Sequence, residues 1–289
     1  MKQNIGFIGT GVMGHSIAQH LLNAGHNLHL YTRTRQKAQS LLDSGAIWVD
    51  SPAALTQTSD VIFTIVGFPQ DVESIYFNTN GLIPHLRPNM VLVDMTTSSP
   101  DLARRIAAAA VEQQAIALDA PVSGGDKGAR EATLSIMVGG DEPTFKRLLP
   151  LLRLLGCNIV YHGPAGSGQH CKLCNQIAIT GTMIGLCESL AYARKSGLEP
   201  NHVLQSIASG AAGSWSLSNL APRILNNDFS PGFFVKHFIK DMEIAAASAT
   251  ALNLDTPGLK LALELYQQLA AAGYGDNGTQ ALYKLYGDV

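Results

Sequence analysis

The chain is short of charge, of cysteine and of long apolar runs. Charged residues make up 15% of its 289 positions, and the formal net charge is −2. No broad basic surface is available, which excludes nucleic acid as the main partner and requires any anion site to be built locally. No stretch approaches the roughly 20 apolar residues of a membrane helix, so no membrane span is expected. The four cysteines are Cys157, Cys171, Cys174 and Cys187. Their even number is a weak hint of disulfides, but a chain of this size does not need staples. Cys171 and Cys174 form a CxxC, but only His170 lies near, and a zinc site wants a second Cys/His pair. They read as reduced cysteines on a helix. His15, His26 and His162 are scattered, so no metal is expected. The first apolar run, Ile5–Ile8, is interrupted by Gly6 and is a strand rather than a secretory core. A cytoplasmic protein is expected.

Hydrophobic residues reach 46%. That is enough for large cores, and the length is comfortable for two domains. The first half alternates strand and helix signals. Apolar strands are expected at 4–8, 28–31, 61–66, 91–94, 115–119, 134–138 and 158–161. Helical periodicity falls at 13–24, 35–44, 101–113 and 143–155. Repeated βαβ units imply a doubly wound, mainly parallel sheet. The pattern stops near His162. From Gly168 onward the periodicity is helical, beginning with a long run, Gln169–Lys195. Further helices are expected at 201–209, 215–226, 236–252, 257–272 and 279–286. The predicted organisation is an α/β Rossmann domain over residues 1–163 and an all-α domain over 164–289.

Gly9-Thr10-Gly11-Val12-Met13-Gly14 is a G-x-G-x-x-G between the first strand and the first helix. Gly9 permits the tight turn, Gly11 the approach of a pyrophosphate, and Gly14 close helix–strand packing. The helix N-terminus adds free N–H groups and partial positive charge. Dinucleotide binding follows. An NAD-preferring fold usually carries Asp or Glu after the second strand. Here the segment is Tyr31-Thr32-Arg33-Thr34-Arg35, with Lys37 behind. Arg33 can pair with a 2′-phosphate, and Thr34 and Lys37 can add donors, which favours NADP over NAD.

Asp119-Ala-Pro-Val-Ser-Gly-Gly125 follows a strand at its C-terminal end, where doubly wound sheets bind ligands. Ser123 offers a hydroxyl, and Gly124 and Gly125 can expose successive amides to a small carboxylate. On the long helix, Lys172, Asn175 and Gln176 share a face. A lysine near a helix start is commonly just solvated. On an apolar interdomain helix it would be desolvated toward a useful acid/base range. Lys240-Asp241 is weak alone, since such pairs are mostly superficial.

Together, Gly6-Phe-Ile-Gly-Thr-Gly-Val-Met-Gly14, Asp119–Gly125, Gly168-x-x-x-Lys172-x-x-Asn175 and Lys240-Asp241 resemble the β-hydroxyacid dehydrogenase family over essentially the whole chain. That family includes 3-hydroxyisobutyrate dehydrogenases and 2-hydroxy-3-oxopropionate reductases. The resemblance implies that Lys172 is the catalytic acid/base and that Asn175 orients the substrate. It implies that Ser123 and Gly124 hold a carboxylate and that Lys240 reaches cofactor or substrate. It places Thr96 near the nicotinamide ribose, and Val66-Gly67-Phe68 in a cofactor-lining loop whose usual polar residue is missing here. It implies a homodimer or homotetramer. The expected reaction is hydride transfer between NADP(H), with NAD possible, and a small 3-hydroxy acid. 3-Hydroxyisobutyrate is the first choice; tartronate, glyoxylate and succinate semialdehydes follow. Trp215, Phe233, Phe234, His237 and Asp126 are candidates for shaping the pocket. Asp126 and Lys127 offer too few cations for a phosphorylated sugar acid. Rival readings are a non-catalytic NADP sensor or scaffold and an imine reductase; the presence of Lys172 argues against both.

Overall fold

The computed structural model describes residues 2–286 and divides into two compact units, Met1–Lys172 and Leu173–Val289. The first is built on a nine-stranded sheet. Its strands are β1 (Asn4–Ile8), β2 (Asn27–Tyr31), β3 (Ile47–Trp48), β4 (Val61–Thr64), β5 (Val91–Asp94), β6 (Ile116–Asp119), β7 (Val122–Ser123), β8 (Leu134–Gly139) and β9 (Gly156–Gly163). The spatial order is β3-β2-β1-β4-β5-β6-β8-β7, with β9 also pairing β8. From β3 through β6 every pairing is parallel; β8 runs antiparallel to β6 and β7. The order β3-β2-β1-β4-β5-β6 is that of a Rossmann sheet, whose chain reverses direction of winding beside β1.

The central strands are apolar throughout because both faces are covered. Phe7, Phe63 and Val93 face one core with Ile17, Leu21 and Leu148; Ile8, Ile62 and Leu92 face the other with Leu55, Tyr76 and Ile106. The covering helices are α1 (Val12–Asn23), α2 (Gln39–Asp43), α3 (Pro52–Thr58), α4 (Pro69–Phe77), α5 (Pro100–Glu112), α6 (Gly125–Arg130) and α7 (Glu142–Leu152). Several start on local chemistry. Ser51, Ser99 and Asp141 each accept an amide of the first turn, and Pro follows at the start of α3 and α5.

Two segments depart from the periodicity. Residues 35–44 form a 3-10 turn, Arg35–Ala38, before α2 rather than one helix. The start has no side-chain cap and carries Arg35 and Lys37, cations at the positive end of a helix dipole. The segment at 279–286 is likewise 3-10 rather than α. Five short strands and α-helices, β3, β7, α3, α4 and α6, have no counterpart in the sequence reading. None is longer than 9 residues, too short to show a period.

A single helix, α8 (Ser167–Lys195), leaves the first unit and enters the second. From Leu173 on it packs with α9 (Pro200–Ile207), α10 (Trp215–Leu225), α11 (Val235–Ala251) and α12 (Pro257–Leu269). Met183, Leu186, Leu190, Phe238, Met242 and Tyr266 fill this helical core. Phe238 and Tyr266 meet edge to face, with ring centroids 5.0 Å apart.

Candidate active site

The three glycines of the first turn are required for three different reasons. Gly9 has φ +97°, and a Cβ there would lie 2.1 Å from the Ile65 carbonyl oxygen. Gly14 would place a Cβ 1.9 Å from the Gly9 carbonyl oxygen, so α1 packs with no room for a side chain. Gly11 has an ordinary φ of −74° and no protein atom within 4 Å of its would-be Cβ. Nothing inside the protein demands glycine there, and the position is left open to a ligand. Gly11 is also the N-cap of α1 and offers no side chain to the first-turn amides. Together with Thr10, Val12 and Met13 it forms an open turn at the positive end of a 12-residue helix. These features fit a dinucleotide pyrophosphate.

Beyond β2, Arg33 is 81% exposed at its side chain and pairs with Asp71 at 3.0 Å. Asp71 lies in the first turn of α4. Thus the exposed guanidinium already has an acidic neighbour. Thr34 and Lys37 are exposed beside it. On the next edge of the sheet, the buried Thr96 hydroxyl accepts the Val66 N–H at 3.0 Å, and the Thr96 N–H donates to Asp94 Oδ1 at 3.0 Å. Val66, Gly67 and Phe68 run half-buried from β4 into α4. The two loops after β4 and β5 are thereby tied together at the C-terminal edge of the sheet.

The loop after β6 is more structured than a turn. Ser123 belongs to β7 and pairs with Ser135. Gly124 and Gly125 follow with φ +128° and +63°, and Gly125 opens α6. Both conformations favour glycine. Asp119, at the end of β6, is taken up by the start of α8. It accepts the N–H groups of Gly166 and Gln169, each at 2.8 Å. Burial pushes its carboxyl up, and the amides pull it part of the way back.

Lys172 follows Gln169 by three positions on α8 and is only 7% exposed. Within the helical unit a second polar group is buried. Asn175 donates to Gln176 Oε1 at 2.7 Å, and Gln176 donates to Asp241 Oδ2 at 2.6 Å. Lys240 forms an ion pair with Asp241 Oδ1 at 2.8 Å, and both residues are buried. So Lys240-Asp241 is an interior pair, not a superficial one. His237, one turn before Asp241, is depressed by burial first and then by Lys240 and Lys236. Sequence reasoning missed Asp71, Gln169 and Asp241 as site residues. A lone acid or amide on a helix carries no local signal; its partners lie tens of residues away.

The glycine turn between the first strand and first helix of a Rossmann sheet defines a dinucleotide-binding protein. Comparison with known proteins agrees. Residues 4–163 match the NAD-binding domain of 6-phosphogluconate dehydrogenase, and residues 166–286 match the NAD-binding domain of NADP-dependent 3-hydroxyisobutyrate dehydrogenase. The chain is 58% identical, over 99% of both chains, to an uncharacterized oxidoreductase of Bacillus subtilis. It is 41% identical to the 2-hydroxy-3-oxopropionate reductase of Escherichia coli, covering 93% of this chain and 92% of that one. The solved Mycobacterium tuberculosis 3-hydroxyisobutyrate dehydrogenase with L-serine superposes with a TM-score of 0.90 at 30% identity, over 99% of both chains. The chain therefore belongs to the β-hydroxyacid dehydrogenase family, NAD(P)-dependent oxidoreductases of the 3-hydroxyisobutyrate dehydrogenase type. Among the described residues no helix is long and apolar enough to cross a membrane.

Proposed function

We propose that this protein catalyses reversible hydride transfer between NADP(H) and a small 3-hydroxy acid, with 3-hydroxyisobutyrate as the first substrate. The observation that carries the reading is a lysine 7% exposed, one turn into a helix whose start is tied to the C-terminal edge of a dinucleotide-binding sheet. Ligands of such sheets bind at that edge. A lysine withdrawn from water there is suited to exchange a proton with a substrate oxygen. Lys172 Nζ takes the hydroxyl proton during oxidation and returns it during reduction. The dinucleotide supplies hydride chemistry when bound. Ser123, with the Gly124 and Gly125 amides, anchors the carboxylate. Asn175 orients the hydroxyl, and Lys240 adds positive charge for the anionic substrate or cofactor. Gly9–Gly14 hold the pyrophosphate, Val66–Phe68 and Thr96 line the nicotinamide side, and Arg33, Thr34 and Lys37 favour the 2′-phosphate of NADP.

We assign dinucleotide binding to residues 1–163 and substrate binding and self-association to 164–289. We propose a homodimer or homotetramer, for which Tyr192, Leu252, Leu254 and Leu261 on the helical unit offer exposed apolar side chains. The 41% identity to a 2-hydroxy-3-oxopropionate reductase favours that semialdehyde as the second substrate candidate. The test is a panel of small hydroxy acids and semialdehydes followed at the NADPH absorbance, with wild type and Lys172→Ala. The variant is expected to bind dinucleotide and to turn over nothing on the panel. Near wild-type turnover in Lys172→Ala removes the mechanism.

A further inference from the structure

We propose that Asp119 is a positioning residue for Lys172: its buried carboxylate caps α8 from across the fold and fixes the first turn, directly before the lysine. This rests on the acid/base reading of Lys172 above.

The first N–H groups of any helix lack intrahelical acceptors. A neighbouring Ser, Thr, Asp or Asn usually supplies one at the surface. At the start of α8 the acceptor comes from 47 and 50 residues earlier in the chain. Asp119 Oδ1 takes the Gly166 N–H and Oδ2 takes the Gln169 N–H, both at 2.8 Å. One carboxylate thus grips the residue before the helix and its first turn together. Negative charge at that end also suits the helix dipole.

The Gln169 side chain makes a second attachment. Its Oε1 accepts the Ser98 N–H at 2.9 Å, and its Nε2 donates to the Thr96 carbonyl at 2.7 Å. The same turn is therefore bound to the loop after β5 and to the end of β6. Space is equally constrained. A Cβ on Gly168 would lie 2.3 Å from the Met137 carbonyl oxygen and 2.6 Å from that of Asp119. A Cβ on Gly139 would lie 2.6 Å from Asp119 Oδ1. The helix start rests directly on β6 and β8 and has no freedom to slide.

Stability alone does not call for this arrangement. Burial pushes the Asp119 carboxyl up despite its amide partners, so the ionised form is held in the fold at a net cost. A surface cap would secure a helix without that cost. What the buried cap adds is registration of one particular turn against the sheet edge, and Lys172 begins the next turn.

The experiment uses the full chain with 3-hydroxyisobutyrate and NADP. Asp119→Asn preserves volume but turns an acceptor into a donor against an amide. Gln169→Met removes the second attachment and leaves the carboxylate cap intact. Asp119→Asn is expected to lower kcat about 100-fold, the loss that a misplacement of about 1 Å brings. Gln169→Met is expected to lower it about tenfold by the same route. KM for the acid and Kd for NADPH should stay within about twofold, since a misplaced acid/base impairs chemistry more than binding. The solvent isotope effect on kcat should rise as proton transfer becomes limiting. Should Asp119→Asn not fold, Asp119→Ser, which keeps a single acceptor for the two amides, carries the test in its place. The proposal falls if kcat in the folded variants stays within about threefold of wild type. It falls equally if kcat drops only in step with NADPH binding while the solvent isotope effect is unchanged. If Lys172→Ala itself retains turnover, the reading of Lys172 fails first. If Lys172→Ala is dead while both positioning variants are fully active, only this inference fails.

Discussion

Replacing Gly11 and Gly14 one at a time by alanine separates the ligand's demand for glycine from the protein's. At Gly14 the new Cβ would stand 1.9 Å from the Gly9 carbonyl oxygen, where ordinary contact needs about 3.5 Å. Helix α1 would have to retreat by roughly 1.5 Å to restore that contact distance. Overpacking of this kind costs about 1–3 kcal/mol. For a unit of this size each kcal/mol lowers Tm by about 2–4 °C, so a fall of roughly 2–12 °C is expected. At Gly11 the Cβ meets no protein atom within 4 Å, and φ is −74°, so Tm should not change. On the proposed placement of the pyrophosphate, the methyl group instead occupies its approach. Losing one charge-assisted amide–phosphate bond costs about 1.5–3 kcal/mol, which weakens NADPH binding about 10- to 150-fold. The assay pairs thermal melts of the free protein with fluorescence titration of NADPH. A Gly11→Ala variant that binds NADPH as tightly as wild type would falsify the placement of the pyrophosphate at this turn.

Three further outcomes follow from named contacts. Arg33→Ala should reduce the preference for NADP over NAD by about 10- to 100-fold, whereas Asp71→Asn, by releasing the guanidinium, should raise it; equal kcat/KM ratios in all three proteins would remove Arg33 from cofactor selection. Asp241→Asn keeps the volume but removes the charge opposite buried Lys240 and should cost up to about 3–5 kcal/mol in urea unfolding; a loss below about 1 kcal/mol would show that the pair is solvated. His237 is depressed in the folded state, so the unfolded chain binds more protons below its ordinary value of about 6.5. Its contribution to stability is complete above that pH and is lost as pH falls toward the depressed value. Melts at about pH 7.5 and 5.5 should therefore show a smaller acid loss in His237→Gln, and an unchanged loss would refute the assignment.

How much was legible depended on whether the physical cause was local. The β-rich run at Val61–Thr64 and the glycine turn before α1 announced themselves, because each is set by neighbours within a few residues. Lys172, Asn175 and Lys240 could be picked out as types, but their surroundings could not. Lys240-Asp241 reads as a surface pair in sequence and is an interior one in the fold. Residues 35–44 misled in the opposite direction. Their periodicity was helical, and the uncapped, cationic start left only a 3-10 turn and five α-helical residues.

From its amino acids alone this protein's class was settled. Strand and helix periods, and glycines placed where a phosphate must come close, are short-range instructions that any window of the chain displays. Folding decided which distant groups would meet: Asp119 with α8 at a separation of 47 residues, Arg33 with Asp71 at 38, Gln176 with Asp241 at 65. Each of these bonds depends on where strands and helices stack in space. The reactivity of a lysine depends on such distant neighbours, because they determine whether water or protein surrounds its amine.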